Sequence, residues 1–254
     1  MAKLISFNNY KGGTSKTFSA VNTAVGFANK GKKTLLIDLD PQGNSSMKLI
    51  KNFEQIDGIN EVILNKKGLK EVIYQTEINN LCIVPANLSL QFGGVKELEN
   101  KANREFLKMQ IEGIKNDFDY IIFDNNPNIE IFLRNLTFAC DWIIIPVAID
   151  MNSIKGVDGT IDVIKETIES TLQDLNIEYR ILLTMVGKTK VSKDFENVVR
   201  NRYKDIILNT SIRYQKKPAE LQTIPGEYFA INDKKAAIRD DLLALVDEIE
   251  RSLA

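Results

Sequence analysis

The chain has 254 residues, 44% hydrophobic and 26% charged, with 14 glycines and 6 prolines, a composition ordinary for a folded protein. Lys+Arg is 33 and Asp+Glu is 34, a formal net charge of −1, so any polyanion-binding surface has to be local. Histidine is absent, which excludes histidine base catalysis and histidine metal ligation; the two cysteines, Cys82 and Cys140, lie inside apolar runs and read as buried thiols of a reducing compartment.

In chain order, the apolar run 4–7 predicts a strand. It begins close to Met1, so no signal peptide is expected. Residues 16–30 carry apolar side chains at helical spacing and stop at Gly31. Residues 34–40 predict a buried strand ending in acidic residues, and Pro41-Gln42-Gly43-Asn44 turns the chain. Residues 45–80 predict weak helices, 81–86 a strand and 100–115 a helix. Then follow a strand at 120–124, a helix at 129–139, a strand at 142–147 and a helix at 155–175. A strand at 180–186, a helix at 192–203 with Ser192 as N-cap, a short strand at 206–208 and a closing helix at 233–253 complete the chain.

The strands are continuous apolar runs alternating with helices. That pattern predicts an α/β fold, a doubly wound and mostly parallel sheet flanked by helices on both faces, in one domain spanning 1–254. No apolar stretch approaches the ~20 residues that span a bilayer. The closing helix has an acidic polar face, which argues for docking onto the sheet rather than onto a membrane surface.

Between the first strand and the first helix lies Lys11-Gly12-Gly13-Thr14-Ser15-Lys16-Thr17-Phe18. A glycine-containing loop in that place aims backbone N–H groups and the positive end of a helix dipole at one point, which suits phosphate. Lys16 adds a point charge, and the Thr17 hydroxyl can take a Mg²⁺ coordination position. Ligands of such sheets bind beyond the carboxyl ends of the strands. Asp38 and Asp40 stand at the end of the second strand and Asp124 at the end of a later one. Together these describe a Mg²⁺–nucleotide site.

The loop resembles the deviant Walker A motif of the ParA/MinD family of ATPases, and within it the ParA, Soj-like, partition proteins. Leu36-Ile37-Asp38-Leu39-Asp40-Pro41-Gln42-Gly43-Asn44 is similar to the family's second motif, and Phe118-Asp119-Tyr120-Ile121-Ile122-Phe123-Asp124 to its Walker B strand. The resemblance implies ATP/ADP and Mg²⁺ as cofactors. It implies that Asp40 orients the hydrolytic water, and that Asp124 and Thr17 hold the metal. It implies that Lys11 reaches the partner's nucleotide across an ATP-dependent homodimer, and that Met185 lies beside the adenine. It further implies non-specific DNA binding, a ParB-like partner protein that stimulates hydrolysis, and a cytoplasmic, nucleoid-associated location.

Two departures stand out. Ser15 replaces a glycine, and Asn125-Asn126-Pro127 replaces the usual Thr-Pro-Pro. If φ is positive at 15, a side chain there costs about 1–2 kcal/mol. The alternative expectation is therefore a nucleotide-binding or DNA- or protein-binding module with little or no ATPase activity; a metabolic phosphotransferase of the same fold class is a more distant one. A basic stretch follows. Between 186 and 217 lie Lys188, Lys190, Lys193, Arg200, Arg202, Lys204, Arg213, Lys216 and Lys217, against Asp194, Glu196 and Asp205. Lys188, Lys190, Arg200 and Arg213 are the candidate DNA contacts.

Overall fold

The structure is a computed structural model and describes residues 1–101, 103–216 and 229–253. Its sheet has eight strands. In chain order these are β1 (Lys3–Phe7), β2 (Thr34–Leu39), β3 (Tyr74–Gln75), β4 (Leu81–Val84), β5 (Tyr120–Asn125), β6 (Trp142–Ala148), β7 (Glu178–Val186) and β8 (Ile207–Arg213). Their spatial order is β3-β4-β2-β5-β1-β6-β7-β8, parallel throughout except for β3 against β4. β2, β5 and β6 are buried along their whole length, as strands covered on both faces must be.

Alternation along the strands divides the core. Ile5, Phe7, Leu36, Ile122 and Ile144 face α1 (Lys16–Asn29) and the closing helix, Ile238–Leu253. Leu4, Leu35, Ile37, Ile121 and Phe123 pack on the other side with α3 (Ile59–Ile63), α5 (Gly94–Lys101), α6 (Phe106–Glu112) and α7 (Glu130–Ala139). A third cluster continues beneath α8 (Met151–Glu169) and α9 (Lys190–Tyr203). Among the described residues two short helices, α2 (Asn44–Leu49) and α4 (Ser89–Phe92), complete the set, with the closing helix as α10. α10 docks as its pattern predicts, burying Leu242, Leu245, Val246 and Ile249. α1 approaches it so closely that a Cβ on Gly26 would stand 2.5 Å from Val246 Cγ2.

Several expected boundaries move. The stretch 45–80 holds α2, α3, two 3₁₀ turns and the edge strand β3 rather than helices alone. The helix expected over 100–115 is split between α5 and α6, α8 runs 151–169 rather than 155–175, and β8 extends to Arg213. α9 starts at Lys190, because Thr189 and not Ser192 is its N-cap: Thr189 Oγ1 accepts the Ser192 N–H at 3.2 Å. The Ser192 hydroxyl is turned to accept the Gly187 N–H. Among the described residues no helix is long and apolar enough to cross a membrane.

Candidate nucleotide site

β1 lies between β5 and β6, with β2, β4 and β3 beyond β5 on one side and β7 and β8 beyond β6 on the other. The loop after β1 therefore opens at a topological switch point, where a crevice forms. Neighbouring elements fasten this loop. The Asn9 amide donates to Pro146 O at 2.7 Å while its oxygen accepts the Lys11 N–H at 2.8 Å. The Tyr10 N–H donates to Thr160 Oγ1 on α8, and the Thr184 hydroxyl at the tip of β7 donates to Thr14 O. α8 comes this near because residue 156 is glycine: a Cβ there would stand 2.3 Å from Asn9 Oδ1 and 3.1 Å from Lys11 N.

Gly13 takes φ 75° and Ser15 takes φ 65°. The positive φ anticipated as a cost at Ser15 is thus present, and the side chain makes no capping bond to offset it. No atom of the described residues lies within 4 Å of where a Cβ on Gly12 or Gly13 would project, and both glycines border an open cavity. The first turn of α1 carries no acidic residue, leaving its N–H dipole for an external anion. Lys16 is buried, and its Nζ donates to Lys11 O at 3.0 Å. Burial lowers its pKa, while Asp124 and Asp40 pull it back up.

The carboxylates arrive on adjacent strands, with Asp38 and Asp124 register partners. Asp38 is fully buried and accepts the Asp40 N–H, the Ser46 N–H and the Ser46 hydroxyl. It is bound entirely within the protein. Asp124 Oδ2 accepts the Ser45 hydroxyl at 2.7 Å, whereas its Oδ1 is buried with no hydrogen-bond partner among the described residues. Burial pushes both carboxyls up, Asp124 adding to the rise at Asp38. At Asp124 the Ser45 and Thr17 hydroxyls oppose it. Asp40 lies beside them with Oδ1 accepting the Gln42 N–H at 2.9 Å and the Asn126 amide at 2.7 Å. α2, which carries Ser45 and Ser46, starts at Gly43 with φ 63°; a Cβ there would meet the Phe53 ring at 2.5 Å.

Gly12, Gly13, Ser15, Lys16, Thr17, Phe18, Asp40 and Met185 line one cavity of ≈ 440 Å³. Met185 reaches it with a positive φ of 56°, the kind of strain found at ligand sites. A wider groove of ≈ 1100 Å³ beside it shares Met47, Lys48 and Phe229 but none of the loop. The Lys11 ammonium turns to Asp150 Oδ1, 2.5 Å away, each side chain about one-third exposed (33% and 39%).

The cavity thus gathers most of the residues singled out from sequence, with Lys11, Thr14 and Asp124 in its walls' immediate support. Ser45, Ser46, Asp150 and Thr160 are not among the residues the sequence singles out, and Asn126 stands out there only as a departure from the resemblance. The only hint in the sequence was two hydroxyls directly after the Asp38–Asn44 motif and a carboxamide two residues past Asp124. The basic stretch divides. Lys188 and Lys190 are exposed just beyond the β7 tip. Arg200 is turned inward to Glu196 and to the carbonyls of Leu208 and Asn209, and Arg213 makes a two-pronged pair with Asp241 of α10. Both guanidiniums have partners within the fold, and that of Arg213 stays 46% exposed. Lys217 lies outside the described residues.

Comparison with known proteins agrees with this geometry. The AAA domain family profile matches residues 2–178. The chain is 32% identical to the chromosome partitioning protein ParA of Myxococcus xanthus over 98% of this chain and 88% of that one. It is 31% identical to the chromosome-partitioning ATPase Soj of Treponema pallidum over 87% of this chain and 86% of that one. Among solved structures, cobyrinic acid a,c-diamide synthase of Mycobacterium smegmatis, with bound ATP analogue and magnesium, has the same fold at a TM-score of 0.84 and 23% identity, covering 99% of this chain and 95% of that one. A putative plasmid partition protein of Borrelia burgdorferi bound to AMPPNP matches at 0.80 and 22%, covering 98% and 100%. From the fold, the loop and these relatives together, the chain belongs to the ParA/MinD family of P-loop ATPases.

Proposed function

We propose that this protein is a single-domain DNA-partition ATPase that binds Mg²⁺–ATP in the cavity behind residues 11–18 and hydrolyses it. The observation that carries the reading is the conjunction of a cavity lined by Gly12, Gly13, Lys16 and Thr17 with a buried Asp124 carboxylate oxygen that has no hydrogen-bond partner among the described residues. The residues present fit the groups the family implies. Loop amides of Gly12 to Thr17 and Lys16 would hold the phosphates, Thr17 and Asp124 the metal, and Phe18 and Met185 would border the nucleotide. Bound Mg²⁺ neutralises phosphate charge and orients the terminal phosphate. Asp40 would hold the attacking water, and the amides and Lys16 would stabilise the charge that develops.

The backbone of Ser15 supports the hydrolytic reading over a non-hydrolysing module. The serine already occupies the conformation that glycine would supply, so the strain is met in folding and not in binding. Lys11, paired with Asp150 in the single chain, would exchange that contact for the nucleotide of a second subunit when ATP closes a homodimer. The dimer would bind DNA without sequence preference through Lys188 and Lys190, and a ParB-like partner would release it by stimulating hydrolysis, in the cytoplasm on the nucleoid. The relatives named for chromosome partitioning support this assignment over a metabolic phosphotransferase.

The test is phosphate release from Mg²⁺–ATP, with and without random-sequence DNA, for wild type and Asp40→Ala. The reading expects turnover in the wild type, its loss in Asp40→Ala, and ATP-dependent, salt-sensitive DNA retention by both. Nucleotide binding with no turnover under any of these conditions would refute hydrolysis. Turnover with no DNA retention would refute the partition role.

A further inference from the structure

The segment after Asp124 departs from the resemblance in a way that creates a contact proline cannot make. Asn126 donates from Nδ2 to Asp40 Oδ1 at 2.7 Å, and its own Oδ1 accepts the Asn128 N–H at 2.8 Å. The second bond fixes the sense of the amide. Flipped, it would set oxygen against the Asp40 carboxylate and an NH₂ against an N–H. Asp40 Oδ1 accepts the Gln42 N–H as well. Both of these bonds fall on one oxygen of a carboxylate that lines the phosphate cavity. One residue earlier, Asn125 donates to Asn8 Oδ1, at the root of the loop after β1. The two asparagines fasten the tip of β5 in two directions, one to the phosphate loop and one to the water-orienting carboxylate.

We infer that Asn126 is a positioning residue for Asp40, acting as a donor that fixes which carboxylate oxygen faces the nucleotide and that couples the metal-side strand tip to it. The inference rests on the hydrolytic reading above and deepens it. A proline at 126 has no side-chain donor, so of the two bonds on Asp40 Oδ1 only that from the Gln42 N–H would remain. The contact is also local: it joins residues on neighbouring strand tips and needs no second subunit.

Two measurements separate this inference from the reading it rests on. The first needs no nucleotide: thermal midpoints of wild type, Asn126→Ala, Asp40→Ala and the double variant. If the two side chains are coupled, the double variant loses clearly less than the sum of the single losses. Additive losses would overturn the inference. The second is single-turnover hydrolysis of saturating Mg²⁺–ATP, beside the Kd of a non-hydrolysable analogue. Asn126→Ala should hydrolyse about tenfold more slowly at an unchanged Kd, and Asn126→Asp, which sets a second carboxylate against Asp40, more slowly still. A wild-type rate in Asn126→Ala would overturn the positioning role. A wild type that does not turn over, with non-additive thermal losses, would instead refute the hydrolytic reading and leave the contact standing.

Discussion

Replacing Ser15 with glycine isolates the conformational cost that this loop carries. Ser15 sits at φ 65° with no capping hydrogen bond from its side chain. Relief of the left-handed conformation should return about 1–2 kcal/mol. Glycine also widens the unfolded ensemble, which takes back about 0.4–1 kcal/mol. The net gain is about 0.5–1 kcal/mol, a rise in Tm of about 1–4 °C for a chain of this size. Ser15→Ala keeps the Cβ and removes only a hydroxyl that caps nothing, so its Tm should match the wild type within about 1 °C. Differential scanning calorimetry of the three proteins without nucleotide gives the comparison. Because the strain is present before any ligand arrives, Ser15→Gly should change the Kd for Mg²⁺–ATP less than about tenfold. A Ser15→Gly protein no more stable than Ser15→Ala would refute the strain argument. A far larger gain in affinity would show that the serine side chain, rather than its backbone, is what obstructs the site.

Other consequences follow from single contacts. Gly156→Ala places a methyl 2.3 Å from Asn9 Oδ1; the phosphate loop must shift, costing about 1–3 kcal/mol, and nucleotide affinity measured by calorimetry should fall. Asp150→Ala frees Lys11 of each subunit from a partly exposed pair worth about 0.2–1 kcal/mol, so with two pairs per dimer the ATP-dependent dimer should form up to about thirtyfold more tightly in sedimentation; weaker dimerisation would contradict the exchange of partners. Glu248, on α10, accepts the N–H groups of Asn209 and Thr210 and the Asn209 amide, so Glu248→Ala should lose about 2–3 kcal/mol in urea unfolding. Burial raises the Glu248 carboxyl, but the Thr210 and Asn209 donors outweigh it and hold it below its usual range. A depressed folded-state pKa gives stability that is present above about pH 4.3 and lost as pH falls through the lowered value; Glu248→Gln should therefore be less sensitive than wild type to acid below that pH. Lys188→Ala with Lys190→Ala should flatten the salt dependence of DNA retention, while Arg213→Ala, which breaks a pair with α10, should show chiefly as a lower Tm.

The strands and the phosphate loop were legible because their signals are local. β2 and β5 are unbroken apolar runs ending in Asp38 and Asp124, and the loop announces itself by two glycines, a lysine and a threonine between a strand and a helix. The region 45–80 was not legible because long-range contacts organise it. Ile59 donates its N–H to Pro85 O, a Cβ on Gly58 would lie 2.1 Å from that same oxygen, and Glu61 caps the turn at Gly58. Charge counting could not reveal the protein partners of Arg200 and Arg213 for a related reason. It registers the cation, not the acceptor: Asp241 is 28 residues further along and meets Arg213 only once α10 has docked against β8. Asn126 was noticed as a departure, but its bond to Asp40 joins two strand tips 86 residues apart. The same separation hid Ser45 on Asp124, 79 residues away.

On the proposed reading, residues 11–18 converge on a polyphosphate whose metal is held with Asp124. Titration calorimetry of ATP into the protein, with and without Mg²⁺, addresses it directly, with Lys16→Ala as the comparison. The account expects one saturable site per chain, weakened when Mg²⁺ is omitted and lost in Lys16→Ala. Binding in Lys16→Ala indistinguishable from wild type, or no heat from the wild type at millimolar Mg²⁺–ATP, would contradict it.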